Sequence, residues 1–281
     1  IRTNGYTGVS LERMNHNYGI PTSEGGFIQQ SQNRYDFEHQ MMSPFDGFSS
    51  LKFSAANTNY QHTEFASNGI ASTQWNNTAT EARLELAHHE WLGSKGVIGV
   101  QVTGATLNAM DLNTNNYAIV PQTKSNASAL FLVEEGRYGA LKTSLGARYG
   151  YTAQNPNSAT QFPTPDSQGI PSSYGPPAIQ NRQFNLFSYS AGGVYDVIKG
   201  YGVGLAYTVS QRAPTPQELY SYGPHDSTAT FDIGNSNLGT ETSHNIELSF
   251  QKTIGDIRSK VSVYRNQFTN YIYGFYTGSY S

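Results

Sequence analysis

The chain contains no cysteine, which excludes disulfide staples, thiolate metal sites and cysteine nucleophiles. It has no basic excess: 17 Lys and Arg stand against 20 Asp and Glu, a net charge of −3, so nothing displaces counterions from phosphates and nucleic acid is excluded as a partner. No segment approaches the roughly 18 apolar residues of a membrane helix; Ala129–Val133 is among the longest apolar runs. The opening I-R-T-N-G-Y-T-G-V-S has no signal-peptide apolar core. G-x-S-x-G, H-E-x-x-H and Walker-type loops are missing, and Gly202-Val203-Gly204 reads as a strand glycine pair, so the chain is not expected to be an enzyme. Charged residues are scarce at 13%, yet mean hydropathy is −0.52, so Asn, Gln, Ser, Thr, Gly and Tyr supply the polarity.

What is present is aromatic and alternating. Twenty Tyr and 14 Phe favour strands, and amphipathic Tyr rings suit a membrane–water boundary. From 241 to 251, Glu241, Ser243, Asn245, Glu247, Ser249 and Gln251 share one face of an extended chain, while Thr242, His244, Ile246, Leu248 and Phe250 share the other. Such alternation predicts about eleven strands, near 5–13, 34–43, 48–60, 77–91, 96–109, 124–135, 139–152, 182–197, 201–210, 241–253 and 257–273. Five connections are turn-like: 44–47, 92–95, 136–138, 198–200 and 254–256. They alternate with long polar ones at 14–33, 61–76, 110–123, 153–181 and 211–240. Tight turns alternating with long loops are the layout of an all-β, antiparallel transmembrane β-barrel, and compact soluble domains rarely carry so many long loops. Phe184, Leu186 and Tyr189 are read as apolar, with a phase slip at Gly192-Gly193 where a bulge is expected; both faces of 124–135 carry apolar residues, so its facing stays open.

Without cysteine, a metal site must use His nitrogen and carboxylate oxygen. His62 and Glu64, two apart, project the same way from an extended chain, and His225 and Asp226 sit in another long loop; if both loops fold inward, these four can meet at one ion. His16 in the first loop and His39 in mid-strand beside Glu38 are weaker candidates. His88 and His89, beside Glu90 near a turn, face opposite ways on a strand and cannot share an ion without distortion. His244, on an apolar face, suits the membrane interface.

Gln211-Arg212-Ala213-Pro214, Gln217-Glu218-Leu219-Tyr220 and Gly234-Asn235-Ser236-Asn237-Leu238 resemble the late-barrel segment of TonB-dependent outer-membrane receptors. In haem receptors of that family F-R-A-P and N-P-N-L boxes flank a loop His; here they read Q-R-A-P and N-S-N-L. The chain is more similar to outer-membrane zinc receptors of the ZnuD type, through Asn17-Tyr18-Gly19-Ile20-Pro21, the run from Tyr220 to Glu247 around G-P-H-D-S-T-A-T-F-D-I-G-N, and Tyr264–Tyr273. The resemblance implies a 22-stranded barrel with an N-terminal plug, driven by the TonB complex of the inner membrane and set in the outer-membrane bilayer. On that reading residues 1–281 are one partial barrel domain without its plug, because a wall of about eleven strands leaves two edges that lipid forbids. The implied cargo is zinc, with haem or a siderophore as the alternative within the family and a passive porin or adhesin barrel as the alternative outside it. The resemblance favours His225 as a ligand, then Glu64.

Overall fold

The computed structural model describes residues 4–21, 25–159, 162, 174–225 and 230–278. One antiparallel sheet dominates. Its strands are β1 (Gly5–Gly19), β2 (Phe27–Met42), β3 (Phe48–Phe65), β4 (Ala71–His88), β5 (Ser94–Asp111), β7 (Thr123–Tyr138), β8 (Leu141–Pro156), β9 (Arg182–Ile198), β10 (Tyr201–Arg212), β13 (Glu241–Lys252) and β14 (Ser259–Thr269), each hydrogen-bonded to the next in that order. The two-residue β6 (Asn116–Tyr117) pairs with β5. A helical turn α1 (Pro216–Tyr220) and a separate hairpin of β11 (Tyr222–His225) and β12 (Thr230–Ile233) lie between β10 and β13. Each expected strand has its counterpart in this meander, the simplest way to satisfy every ladder with local connections.

The two faces differ as the alternation demands. One carries ion pairs: Arg34 with Asp36 (2.8 Å) and Glu81 (3.2 Å), Lys52 with Glu38 (2.7 Å), and Arg83 with Glu85 (2.8 Å). The register places these in one patch, since Arg34 opposes Thr58, Glu38 opposes Ser54 and Lys52 opposes Glu85. The opposite face exposes Val9, Leu11, Phe37, Leu84, Val100, Val102, Leu130, Leu145, Leu205, Ile246, Leu248 and Phe250; Leu248 is 55% exposed. A row of exposed branched and aromatic side chains on every strand is what a lipid-facing wall presents and what water would penalise. The open facing of 124–135 resolves here: Leu130 and Leu132 lie on the apolar face, while Phe131 is buried on the polar face under the Arg83 guanidinium, 4.1 Å from its ring centre.

Four expectations are corrected. The first two long loops are mostly strand: β1 continues to Gly19, β2 starts at Phe27, β3 runs to Phe65 and β4 starts at Ala71, leaving connections of 20–26 and 66–70. Those segments are Asn-, Gln- and Thr-rich on both faces, so they lack hydrophobic contrast, but ladder hydrogen bonds need only backbone. The turn placed at 136–138 lies at 139–140, where Gly139 adopts φ +63°. The bulge sits at Val197 rather than at Gly192-Gly193, since Tyr201 opposes Ile198 but Gly202 opposes Asp196. The two glycines instead permit close packing: a Cβ on Gly192 would lie 3.3 Å from the Ala206 Cβ. Phe184 and Leu186 also leave the apolar face. Phe184 is buried with Trp75, Ala109, Ile119, Val120, Leu219 and Tyr220, a small core on the polar side at the loop end of the sheet, and Leu186 packs against it.

Candidate metal centre

At that loop end β3 presents Tyr60, His62 and Glu64 on the polar face, spaced two apart as strand geometry requires. Trp75 of β4 stands opposite His62 in register, and the two rings stack with centroids 5.9 Å apart and planes 19° apart. The β11–β12 hairpin covers this patch from above and brings the His225 ring to 6.0 Å from Trp75. The Glu64 carboxylate ends up between two imidazoles, its Oε1 3.7 Å from His62 Nε2 and 3.9 Å from His225 Nε2. Glu64 is only 2% exposed, and its Oε2 has no hydrogen-bond partner among the described residues. A buried carboxylate oxygen left without a donor is costly, and the cost falls if a cation or a proton sits on it.

The far sides of both imidazoles are also held. Asp232 Oδ2 lies 2.8 Å from His225 Nδ1, and Thr230 donates its hydroxyl to Asp232 Oδ1 at 2.8 Å. The Tyr60 hydroxyl is 3.0 Å from His62 Nδ1. The hydrogen bond from His225 holds the Asp232 carboxyl below its ordinary 3.8; burial opposes this and Thr230 adds to it. Among the described residues no group of three or more His, Asp and Glu stands at metal-holding distances as it is. The separations explain this: donors about 2.0–2.1 Å from one zinc lie about 3.4 Å apart in a tetrahedron, so each nitrogen must approach Glu64 by a few tenths of an ångström.

Why the hairpin lands here is local chemistry. Thr215 caps α1: its Oγ1 accepts from Glu218 N (3.3 Å), and Glu218 Oε2 accepts from Thr215 N (2.8 Å), the reciprocal capping box spelled by T-P-Q-E. Arg212, at the end of β10, donates to both Glu218 oxygens (2.9 and 3.0 Å) and to both Glu241 oxygens (2.9 and 3.1 Å), tying the start of this excursion to its end. Tyr222 N donates to Ile119 O (2.7 Å), and Gly223 leaves no room for a side chain, since a Cβ would lie 2.4 Å from Ala118 O. Gly234 crosses α1 as closely, with 2.7 Å from a virtual Cβ to the backbone of Leu219 and Tyr220.

Of the four residues expected to meet, the structure gathers His62, Glu64 and His225; Asp226 lies outside the described residues. His62 and Glu64 sit in a strand, not in a loop as expected, which makes their common direction a rigid one. His16 is on β1, two strands across the sheet from His62, with Gln30 of β2 between them in register. His39 does not line the polar face: it opposes Thr7 and bonds its hydroxyl at 2.8 Å, on the side away from Glu38. His88 pairs with Glu134 at 3.0 Å by the short turns, on the face of Leu84 and Leu86, apart from the centre. His244 takes the Tyr207 hydroxyl at 2.9 Å within an aromatic row of Phe187, Tyr189 and Tyr207, an interfacial setting. Sequence reading missed Asp232 and Trp75. Asp232 follows Thr230 by two on a short strand, a same-face signal that was available; Trp75 stood inside a segment read as loop.

A family model described as "TonB dependent receptor-like, beta-barrel" matches residues 2–281. Among solved structures, the fold is similar to the copper transporter OprC (TM-score 0.70, 12% identity, 94% of this chain and 42% of that one). It is similar to the Serratia marcescens hemophore receptor HasR, solved with its hemophore and heme (0.71, 14%, 94% and 44%). It is also similar to the siderophore receptor PiuA of Acinetobacter baumannii (0.66, 10%, 93% and 47%). The chain therefore spans less than half the length of each, and at these identities the likeness is one of fold.

Proposed function

Because the chain belongs to the TonB-dependent receptor β-barrel family, whose barrels are transporters and receptors of the bacterial outer membrane, we propose that it forms the cargo-capturing wall of a zinc receptor of the ZnuD type. Glu64, His62 and His225 hold the ion at the outer mouth, and residues 1–281 are one part of a 22-stranded barrel whose plug and TonB contact complete the transport cycle. The observation that carries this reading is the buried Glu64 carboxylate, with one oxygen unpartnered among the described residues and two imidazole nitrogens closing on the other. Two imidazoles and a carboxylate with no sulfur suit a borderline ion such as zinc better than Cu(I), which thiolate and thioether select. Glu64 supplies charge from the rigid wall; His225 arrives on the hairpin, so capture couples the ion to the seating of that loop.

Calorimetric titration of zinc into the receptor that carries this chain tests it. His225→Ala and Glu64→Gln are each expected to weaken binding by at least about 100-fold, above the 10–100-fold typical of losing a supporting residue. Unchanged affinity in both variants would remove these residues from the site. Haem is the competing cargo within the family: a Soret shift on adding haem, abolished in His225→Ala, together with silence toward zinc, would replace zinc by haem.

A further inference from the structure

Granting the metal reading above, we infer that Asp232 is the positioning residue that presets His225 as a ligand before any ion arrives. An ionised carboxylate only accepts hydrogen bonds, so the proton between Asp232 Oδ2 and His225 Nδ1, 2.8 Å apart, resides on the imidazole. In the neutral ring that leaves the lone pair on Nε2, the atom that faces Glu64 at 3.9 Å. The second Asp232 oxygen accepts from the Thr230 hydroxyl at 2.8 Å, which helps to hold the carboxylate behind the ring. The hairpin register fixes the arrangement: His225 opposes Thr230 directly, and Asp232, two further along β12, shares that face. His62 has no such device. Its Nδ1 partner is the Tyr60 hydroxyl, which can donate or accept and so fixes no tautomer. The two imidazoles therefore divide the work, one preset on the hairpin and one adaptable on the β3 strand.

The test compares Asp232→Ala and Asp232→Asn with the wild type in zinc titration of the whole receptor, and records the d–d absorption of the cobalt-loaded forms. Asp232→Ala is expected to weaken zinc binding about 10–100-fold. Asp232→Asn, whose amide oxygen still accepts from Nδ1, should recover most of that loss but shift the cobalt bands, because the imidazole loses its anionic partner. A cobalt spectrum identical to wild type in Asp232→Asn, or wild-type zinc affinity in Asp232→Ala, overturns the assignment. If the wild type binds zinc and His225→Ala does not, yet Asp232→Ala matches the wild type, only this inference fails. If the wild type binds no zinc, the metal reading itself fails.

Discussion

At the scale of single residues, the decisive contrast is between carboxylates whose oxygens are satisfied and one that is not. Glu241 and Asp232 each have both oxygens engaged, whereas Glu64 is sealed from water with one oxygen lacking a partner among the described residues. This contrast sets a pH expectation. Asp232 has its carboxyl depressed in the folded state, so the stability it contributes is present above its unfolded value of 3.8 and is lost only as pH falls through the lower folded value. Between about pH 5 and 8, where imidazoles titrate, the hairpin's carboxylate anchor therefore stays charged. Zinc affinity should fall on acidification, because nitrogen and carboxylate ligands hold a metal only when deprotonated, while the hairpin's resistance to protease stays level. Calorimetry over a pH series checks this; affinity independent of pH would mean that neither imidazole ligates.

At the scale of elements, the excursion between β10 and β13 is fastened by two guanidiniums: Arg182 of β9 donates to the Ser236 and Leu238 carbonyls, and Arg212 ties the two ends together. Arg212 bridges Glu218 of α1 and Glu241 of β13, and its removal leaves two partly buried carboxylates facing each other. Arg212→Ala is expected to loosen the whole 213–240 segment, read as faster cleavage there in limited proteolysis and at least a several-fold loss of zinc affinity, with the sheet's unfolding midpoint little changed. Arg212→Lys should restore only part, because a point charge cannot make two forked contacts. The capping box of α1 was readable as T-P-Q-E, and the Q-R-A-P that precedes it marks where the strand stops. The extent of the first two hairpins was not readable, because Asn-, Gln- and Thr-rich strands such as 27–33 and 71–76 pair through backbone while showing no apolar stripe.

At the scale of the whole molecule, the sheet is a two-solvent wall: salt bridges on one face, exposed Leu, Ile, Val and Phe on the other. Leu248→Arg, on the apolar face of β13, should destabilise the membrane-embedded receptor by about 2–4 kcal/mol if it lies near the bilayer midplane. Ser249→Arg, one residue on and on the opposite face, should cost far less. Denaturant unfolding in lipid vesicles distinguishes the two, and equal costs would contradict the assignment of faces.

The sequence by itself determined the architecture: two-residue alternation, turn residues and lack of any long apolar run leave an antiparallel membrane wall, because strand periodicity is local and survives without knowledge of neighbours. It also marked His62, Glu64, His225 and Asp226 as chemistry-bearing, since a pair two apart in one loop and an adjacent His-Asp in another are visible as residue types. Only the tertiary structure decided that His62, Glu64 and His225 meet, that Trp75 packs against both imidazole rings and that Asp232 stands behind one of them. Those juxtapositions join β3, β4 and a hairpin more than a hundred residues away in sequence, and they depend on backbone contacts such as Gly223 against Ala118 that no periodicity records.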